Sequence, residues 1–224
     1  MFNHIQTSII GNHSVKQDAI KYIEDNETII AVVADGLGSK KHSDKGARLI
    51  CRLVGKDLKI QRPPLTCEEV VSHKRWVEYL KAKKFDPNDF CSTCSFVIID
   101  KTQRNISVGQ IGDSPVFLKL DKEPIVELKP EKEFSNTTEA LGSSDIQFRL
   151  WNYRYKESAN IMITTDGIGD ELDSGALDHM FTYLSETYKH LSPQYRSRRF
   201  RKEIMSTIGN VNSDDKSIIY IWSI

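Results

Sequence analysis

The sequence predicts an α+β fold in which antiparallel sheets are covered on their outer faces by helices, and three observations carry that expectation. Four apolar runs, at 95–99, 106–111, 116–120 and 125–128, follow one another with a few turn residues between them. Connections that short suit antiparallel neighbours, because a parallel pair needs a crossover of about a dozen residues or more. Helix-like stretches come in two pairs, one before this block of strands and one after it. Isolated strand-like runs at 28–34 and 217–222 frame the pairs, so sheets and helices must share a layered core.

The elements follow in order. TIIAVVA at 28–34 reads as a buried strand. Asp44 is placed to cap a helix from about Lys45 through Ile50, Leu53 and Val54, since a short acidic side chain accepts from the free N–H groups of a first turn. A second helix follows Pro63-Pro64. There Thr66 and Glu69 have capping-box spacing, and Val70, Val71, Trp76, Val77 and Leu80 form the apolar face. After the four clustered strands, residues 129–146 hold Pro, Asn, Thr, Gly and Ser without a period and read as a long surface loop, a class that is often functional. Runs at 148–151 and 161–164 are further strands. Ser174 and Ser192-Pro193 mark helix starts, Gly209 a helix stop, and 217–222 a final strand.

Composition narrows the class. The 224 residues suffice for one domain, with Lys plus Arg and Asp plus Glu equal at 31 each. Zero net charge carries neither a nucleic-acid footprint nor an acidic tail. Hydrophobic residues at 39% and charged residues at 28% suit a soluble globular chain. No apolar run reaches the roughly 18 residues of a membrane span, and 1–10 lacks a secretory signal. The expected location is the cytoplasm, where the four cysteines are reduced thiols.

The informative pattern is acidic. Asp35 follows IIAVVA, Asp113 follows VGQIG, Asp166 follows IMITT, and Asp214 precedes SIIYIWS. Asp35-Gly36, Gly112-Asp113 and Asp166-Gly167 each pair the acid with a residue that lets the backbone turn sharply. One Asp-Gly is an ordinary turn. Four carboxylates gathered at the ends of core strands would repel one another and resist burial unless a cation compensates. Ligation by carboxylates, a backbone carbonyl and water suits magnesium or manganese rather than zinc.

On these residues the sequence resembles the metal-dependent type 2C protein serine/threonine phosphatase family, over nearly the whole chain. Gln17-Asp18-Ala19 looks like the early acidic motif of a compact bacterial branch, and Gly11-Asn12-His13 before it is similar to that branch. Val33-Ala34-Asp35-Gly36-Leu37-Gly38-Ser39 resembles the Asp-Gly-x-Gly motif, followed by a Ser-Asp-x-Gly-Ala element at 43–47. Gln110-Ile111-Gly112-Asp113-Ser114 resembles the central Gly-Asp-Ser motif, Thr165-Asp166-Gly167-Ile168 the late one, and Asp214-Asp215-Lys216-Ser217 the terminal Asp-Asn-x-Thr element. The specificity lies in the ordered set.

The resemblance implies a four-layer αββα sandwich, two antiparallel sheets flanked by helix pairs, as a single catalytic domain over 1–224 with 129–146 as a flap. It implies two Mn2+ or Mg2+ ions at one end of the sandwich. Asp35 would bridge both, the Gly36 carbonyl would ligate one, and Asp166 and Asp214 would hold the other, which makes Asp35, Asp166 and Asp214 the catalytic set. Asp18 would support the site through waters, and Asp113 with Asp166 would hold a third, weaker ion. Either Asp214 or Asp215 fills the terminal position. The implied activity is hydrolysis of phosphoserine or phosphothreonine by a metal-activated water. Its partners would be a phosphorylated protein and a separate kinase, with no nucleic acid or membrane, and the chain would act as a monomer. The alternatives are a phosphatase for small molecules and a catalytically inactive metal-binding module that docks phosphoproteins.

Three positions depart from the family pattern. His13 stands where an Arg often grips the substrate phosphate, Leu37 where a His is often proposed as general acid, and Pro115 where an Arg usually follows Gly-Asp-Ser. His13 becomes the candidate phosphate contact, and His42, just after the Asp-Gly motif, a candidate acid. Two constellations have ordinary explanations. Cys91-Ser92-Thr93-Cys94 has redox spacing but runs into a strand, so its thiols read as structural. Arg196, Arg198, Arg199, Arg201 and Lys202 form a basic run. Helical spacing would turn Tyr195, Phe200 and Ile204 inward and leave the bases solvated, against the alternative of an acidic or nucleic-acid partner.

Overall fold

The computed structural model describes residues 1–70, 73–129, 138–143 and 146–224. Two antiparallel sheets of five strands each stack face to face. One contains β1 (Phe2–Ile9), β6 (Val116–Leu120), β7 (Val126–Leu128), β9 (Ala159–Thr164) and β10 (Lys216–Ser223), in the order β1-β10-β9-β6-β7. The other contains β2 (Ala19–Glu24), β3 (Thr28–Ala34), β4 (Cys94–Asp100), β5 (Asn105–Ile111) and β8 (Arg149–Arg154), in the order β2-β3-β4-β5-β8. The fold is the α+β sandwich expected.

Alternation along the strands builds three apolar layers. On β3, Ile29, Ala31 and Val33 join Val97, Ile161, Ile219 and Ile221 between the sheets. Ile30, Val32 and Ala34 face the other way, onto α1 (Ser43–Leu58) and α2 (His73–Ala82). On β10, Ile218, Tyr220 and Trp222 pack outward beneath α4 (Leu177–Tyr188) and α5 (Pro193–Thr207). Burial on both faces explains why these strands read as unbroken apolar runs.

Several local expectations shift. α1 begins at Ser43, so Asp44 sits inside the first turn, where it pairs with Arg48, and does not cap it. A carboxylate there is favoured by the positive end of the helix dipole. The capping box predicted from Thr66 leads into a short 3-10 turn at Cys67–Glu69, and α2 starts only at His73. Val71 lies outside the described residues. Ser174 opens a 3-10 turn that leads into α4, and Ser192 precedes Pro193 at the start of α5. On α5 the inward stripe is Arg196, Phe200 and Ile204, whereas Tyr195 is 57% exposed. This corrects the expectation that Tyr195 turns in and every base stays solvated. Arg196 donates to Asn3 Oδ1 at 2.7 Å and to the Lys189 carbonyl at 3.0 Å, and it lies over the Trp222 ring. Burying a guanidinium is tolerable where such acceptors meet it.

Candidate active site

The registers bring the end of β3, the end of β5, the end of β9 and the starts of β2 and β10 to one end of the sandwich. A cavity of about 240 Å³ opens there. His13, Asp18, Asp35, Gly36, Asp113, Asp166 and Asp214, the residues expected at the site, all line it, and so do Leu37 and Asp215. Among the described residues that line it His42 is absent, and its ring lies against Phe90. Pro115 packs against Gly169. Of the loop at 129–146, residues 130–137 and 144–145 lie outside the described residues; Thr138 lines the cavity and donates to Asp113 Oδ2 at 3.3 Å.

Asp35 owes its position to the residues between the two cysteines. Its carbonyl accepts from the Thr93 N–H at 2.8 Å and from the Ser92 hydroxyl at 2.8 Å, and its own N–H donates to Thr93 Oγ1 at 3.2 Å. The motif that resembled a redox pair is thus a clamp made by Ser92 and Thr93, and Cys91 and Cys94 are buried free thiols. Next to it, the Gly36 N–H donates to the Gln17 carbonyl at 3.2 Å, joining the Asp35 turn to the segment that carries Asp18. Asp113 is reached through Gly112, whose φ of +90° lies in the left-handed region where L side chains are strained. Asp166 opens the four-residue α3 (Asp166–Gly169), and its carboxylate accepts from the Gly167 N–H at 2.7 Å.

The electrostatics are those of a site that wants a cation. Burial pushes the Asp35 carboxyl well above the usual carboxylate range, and the charges of Asp18, Asp166 and Asp113 push it further. Burial raises Asp18 to about 7, opposed by hydrogen bonds from Ser217 and Thr165 and reinforced by Asp215. Asp166 rises to about 6 through burial and then through Asp113, with the Gly167 N–H working against the shift. Among the described residues, no Lys or Arg lines the cavity. Hard carboxylate oxygens without a thiol suit magnesium or manganese. Among the described residues, no three His, Cys, Asp or Glu side chains are grouped so as to hold one ion. The fit is therefore one of donor chemistry and charge, not of a closed ligand cage.

Sequence reasoning missed Thr93, Thr138 and Thr165, which hold the acids rather than carry charge. Their only signal was adjacency, Thr165 standing directly before Asp166 and Thr93 within the cysteine motif.

Solved structures with this fold include RsbX in complex with magnesium, at TM-score 0.67 and 16% identity, covering 99% of this chain and 94% of that one. A serine/threonine phosphatase from S. agalactiae matches at TM-score 0.70 and 12% identity, over 99% of each chain. The catalytic domain of the serine/threonine protein phosphatase PstP, in complex with two manganese ions, matches at 0.70 and 12%, over 98% and 97%. No curated protein matches the chain. The family Protein phosphatase 2C matches residues 5–205, and with its motifs on one cavity the chain belongs to that family.

Proposed function

We propose that the chain is a manganese- or magnesium-dependent protein phosphatase that hydrolyses phosphoserine or phosphothreonine. The observation that carries this reading is the gathering of Asp18, Asp35, Asp113, Asp166, Asp214 and Asp215 around one cavity that, among the described residues, no Lys or Arg lines. Divalent cations bound there would supply charge neutralisation and an activated water. Asp35, Asp166, Asp214 and the Gly36 carbonyl are the groups assigned to hold two of them. Asp113 with Asp166 is assigned to a third, weaker ion, and Asp18 supports Asp35. His13 is 42% exposed, with Nε2 3.9 Å from Asp214 Oδ1, and is assigned to donate to a substrate phosphate oxygen. Leu37 offers no proton, so protonation of the leaving oxygen falls to water in the cavity. A separate kinase would supply the phosphorylated protein. Among the described residues, no helix is long and apolar enough to cross a membrane.

Leu37 also favours a second reading, a metal-binding module that docks phosphoproteins without cleaving them. Turnover of an aryl phosphate, measured with manganese and with excess chelator, separates the two. The phosphatase reading expects manganese-dependent turnover that chelation abolishes, and binding of phosphopeptide without any turnover would replace it with the second. Comparison of phosphopeptides with small phosphate esters then decides the substrate class, a preference for the esters overturning the protein assignment.

A further inference from the structure

Asp214 and Asp215 line the same cavity from one turn, and their environments are opposite. The Asp214 side chain is 56% exposed. Asp215 is 4% exposed, and its carboxylate accepts from three backbone N–H groups: Gly11 at 2.7 Å on Oδ1, Gln17 at 2.5 Å and Asp18 at 3.1 Å on Oδ2. A carboxylate offers about four lone-pair positions, so most of this one is committed to amides.

All three donors belong to the segment 11–18, which leaves β1 in one sheet and enters β2 in the other. The segment lies tight against the Asp214 turn. The Asn12 N–H donates to the Ser213 carbonyl at 2.8 Å, and a Cβ on Gly11 would fall 2.2 Å from the Ser213 carbonyl oxygen, an approach that glycine alone permits. The opposite side of the turn is fixed by Lys216. Its buried ammonium donates to the Asn212 carbonyl at 3.0 Å, to Asn212 Oδ1 at 2.9 Å and to the Asp214 carbonyl at 2.9 Å. Asn212 Nδ2 in turn donates to the Gly167 carbonyl at 3.1 Å, beside Asp166.

We propose that Asp215 is a positioning residue and not a cation ligand: it holds the segment 11–18, and with it His13 and Asp18, against the turn that presents Asp214. The work given to His13 and Asp18 rests on the phosphatase reading; the clamp itself does not. Asp215→Asn keeps the shape but replaces an acceptor with a donor facing an amide, so it should loosen the segment. Asp214→Asn should leave the segment in place and remove a ligand.

The test compares the full-length parent, Asp215→Asn and Asp214→Asn by amide hydrogen exchange without metal, calorimetric titration with manganese, and steady-state turnover of a phosphopeptide. In Asp215→Asn the amides of Gly11, Gln17 and Asp18 should lose protection about tenfold or more while β9 and β10 keep theirs. Manganese affinity should stay within about threefold of parent, and KM should rise about tenfold with a smaller fall in kcat. Asp214→Asn should keep that protection and lose manganese affinity by about thirtyfold or more. Equal loss of manganese affinity in both variants would make Asp215 a ligand, and unchanged exchange at the three amides would remove the clamp. Gly11→Ala, which leaves the carboxylate intact but displaces the segment, decides the matter if Asp215→Asn does not fold. Its expected signature is the same loss of protection and rise in KM, and parental values would overturn the proposal. A parent that neither binds manganese nor turns over phosphate would defeat the phosphatase reading alone, since the exchange comparison still decides the clamp.

Discussion

The Thr165 hydroxyl donates to Asp18 Oδ2 at 2.9 Å and accepts from the Ser217 N–H at 3.1 Å. One neutral group therefore serves two buried partners, an acid at the start of β2 and an amide of β10. Thr165→Val keeps the shape and removes both bonds. Leaving two buried polar groups unpaired costs about 2–6 kcal/mol together, so the metal-free variant should melt about 4–24 °C below the parent by thermal scanning.

The raised carboxyls predict an inverted pH dependence for the metal-free protein. Asp18 at about 7 and Asp166 at about 6 lie above the value near 4 expected of an unfolded chain. Between about pH 4 and 7 the folded state then binds more protons than the unfolded one, and stability from these groups falls as pH rises. Melting temperature in chelator should decline from pH 4 to 8 more steeply for the parent than for an Asp18→Asn, Asp166→Asn double variant. Parallel profiles would show that the two acids keep ordinary values.

Neutralising one acid should relieve repulsion where no cation is present. Asp166→Asn preserves size, so the metal-free variant should melt at or above the metal-free parent, gain less on adding manganese, and lose nearly all turnover. Parental activity with parental manganese stabilisation would place Asp166 in an isolated turn.

His13 sits at the cavity wall, and its Nε2 lies 3.9 Å from Asp214 Oδ1. Its loss should be felt by substrate and not by cations. His13→Ala is expected to raise KM about tenfold or more, the scale of one hydrogen bond to a charged group, with manganese affinity unchanged. Steady-state kinetics and a manganese titration check both halves.

The cysteine motif should prove dispensable while its interior does not. Cys91→Ala with Cys94→Ala should lower stability through lost packing yet leave turnover the same in reducing and oxidising buffer. Thr93→Val, which removes the hydroxyl that the Asp35 N–H donates to, should cut turnover about tenfold or more. Turnover that responds to oxidant in the parent and not in the double variant would return a redox role to the thiols.

The sequence made the central strands legible because they are buried on both faces, as β3 shows residue by residue. It concealed β1 and β2 for the opposite reason. Both are edge strands, and polar residues occupy much of their length: Asn3, His4, Gln6 and Thr7 in β1, Lys21 and Glu24 in β2. An apolar pattern cannot announce a strand half of which faces other surroundings. The acids around the cavity were readable through their glycines and strand ends. The difference between Asp214 and Asp215 was not, because it is made by amides about two hundred positions away, Gly11 to Asp215 spanning 204. Arg196 escaped for a similar reason: helical spacing allowed its inward stripe, but Asn3 and Trp222, which make it tolerable there, come from distant strands.

That same remoteness governs how the cavity comes into being. Its walls come from the segments that flank the ends of β2, β3, β4, β5, β9 and β10, strands of both sheets, and β10 must insert between β1 and β9 before the Asp214 turn can meet the segment 11–18. Contacts of such long sequence separation form late and slowly, since the entropy of closing the chain precedes their reward. Ligand that binds only the finished cavity then has nothing to grip in the transition state. It lengthens the lifetime of the assembled protein by slowing its unfolding, and leaves the rate of assembly unchanged.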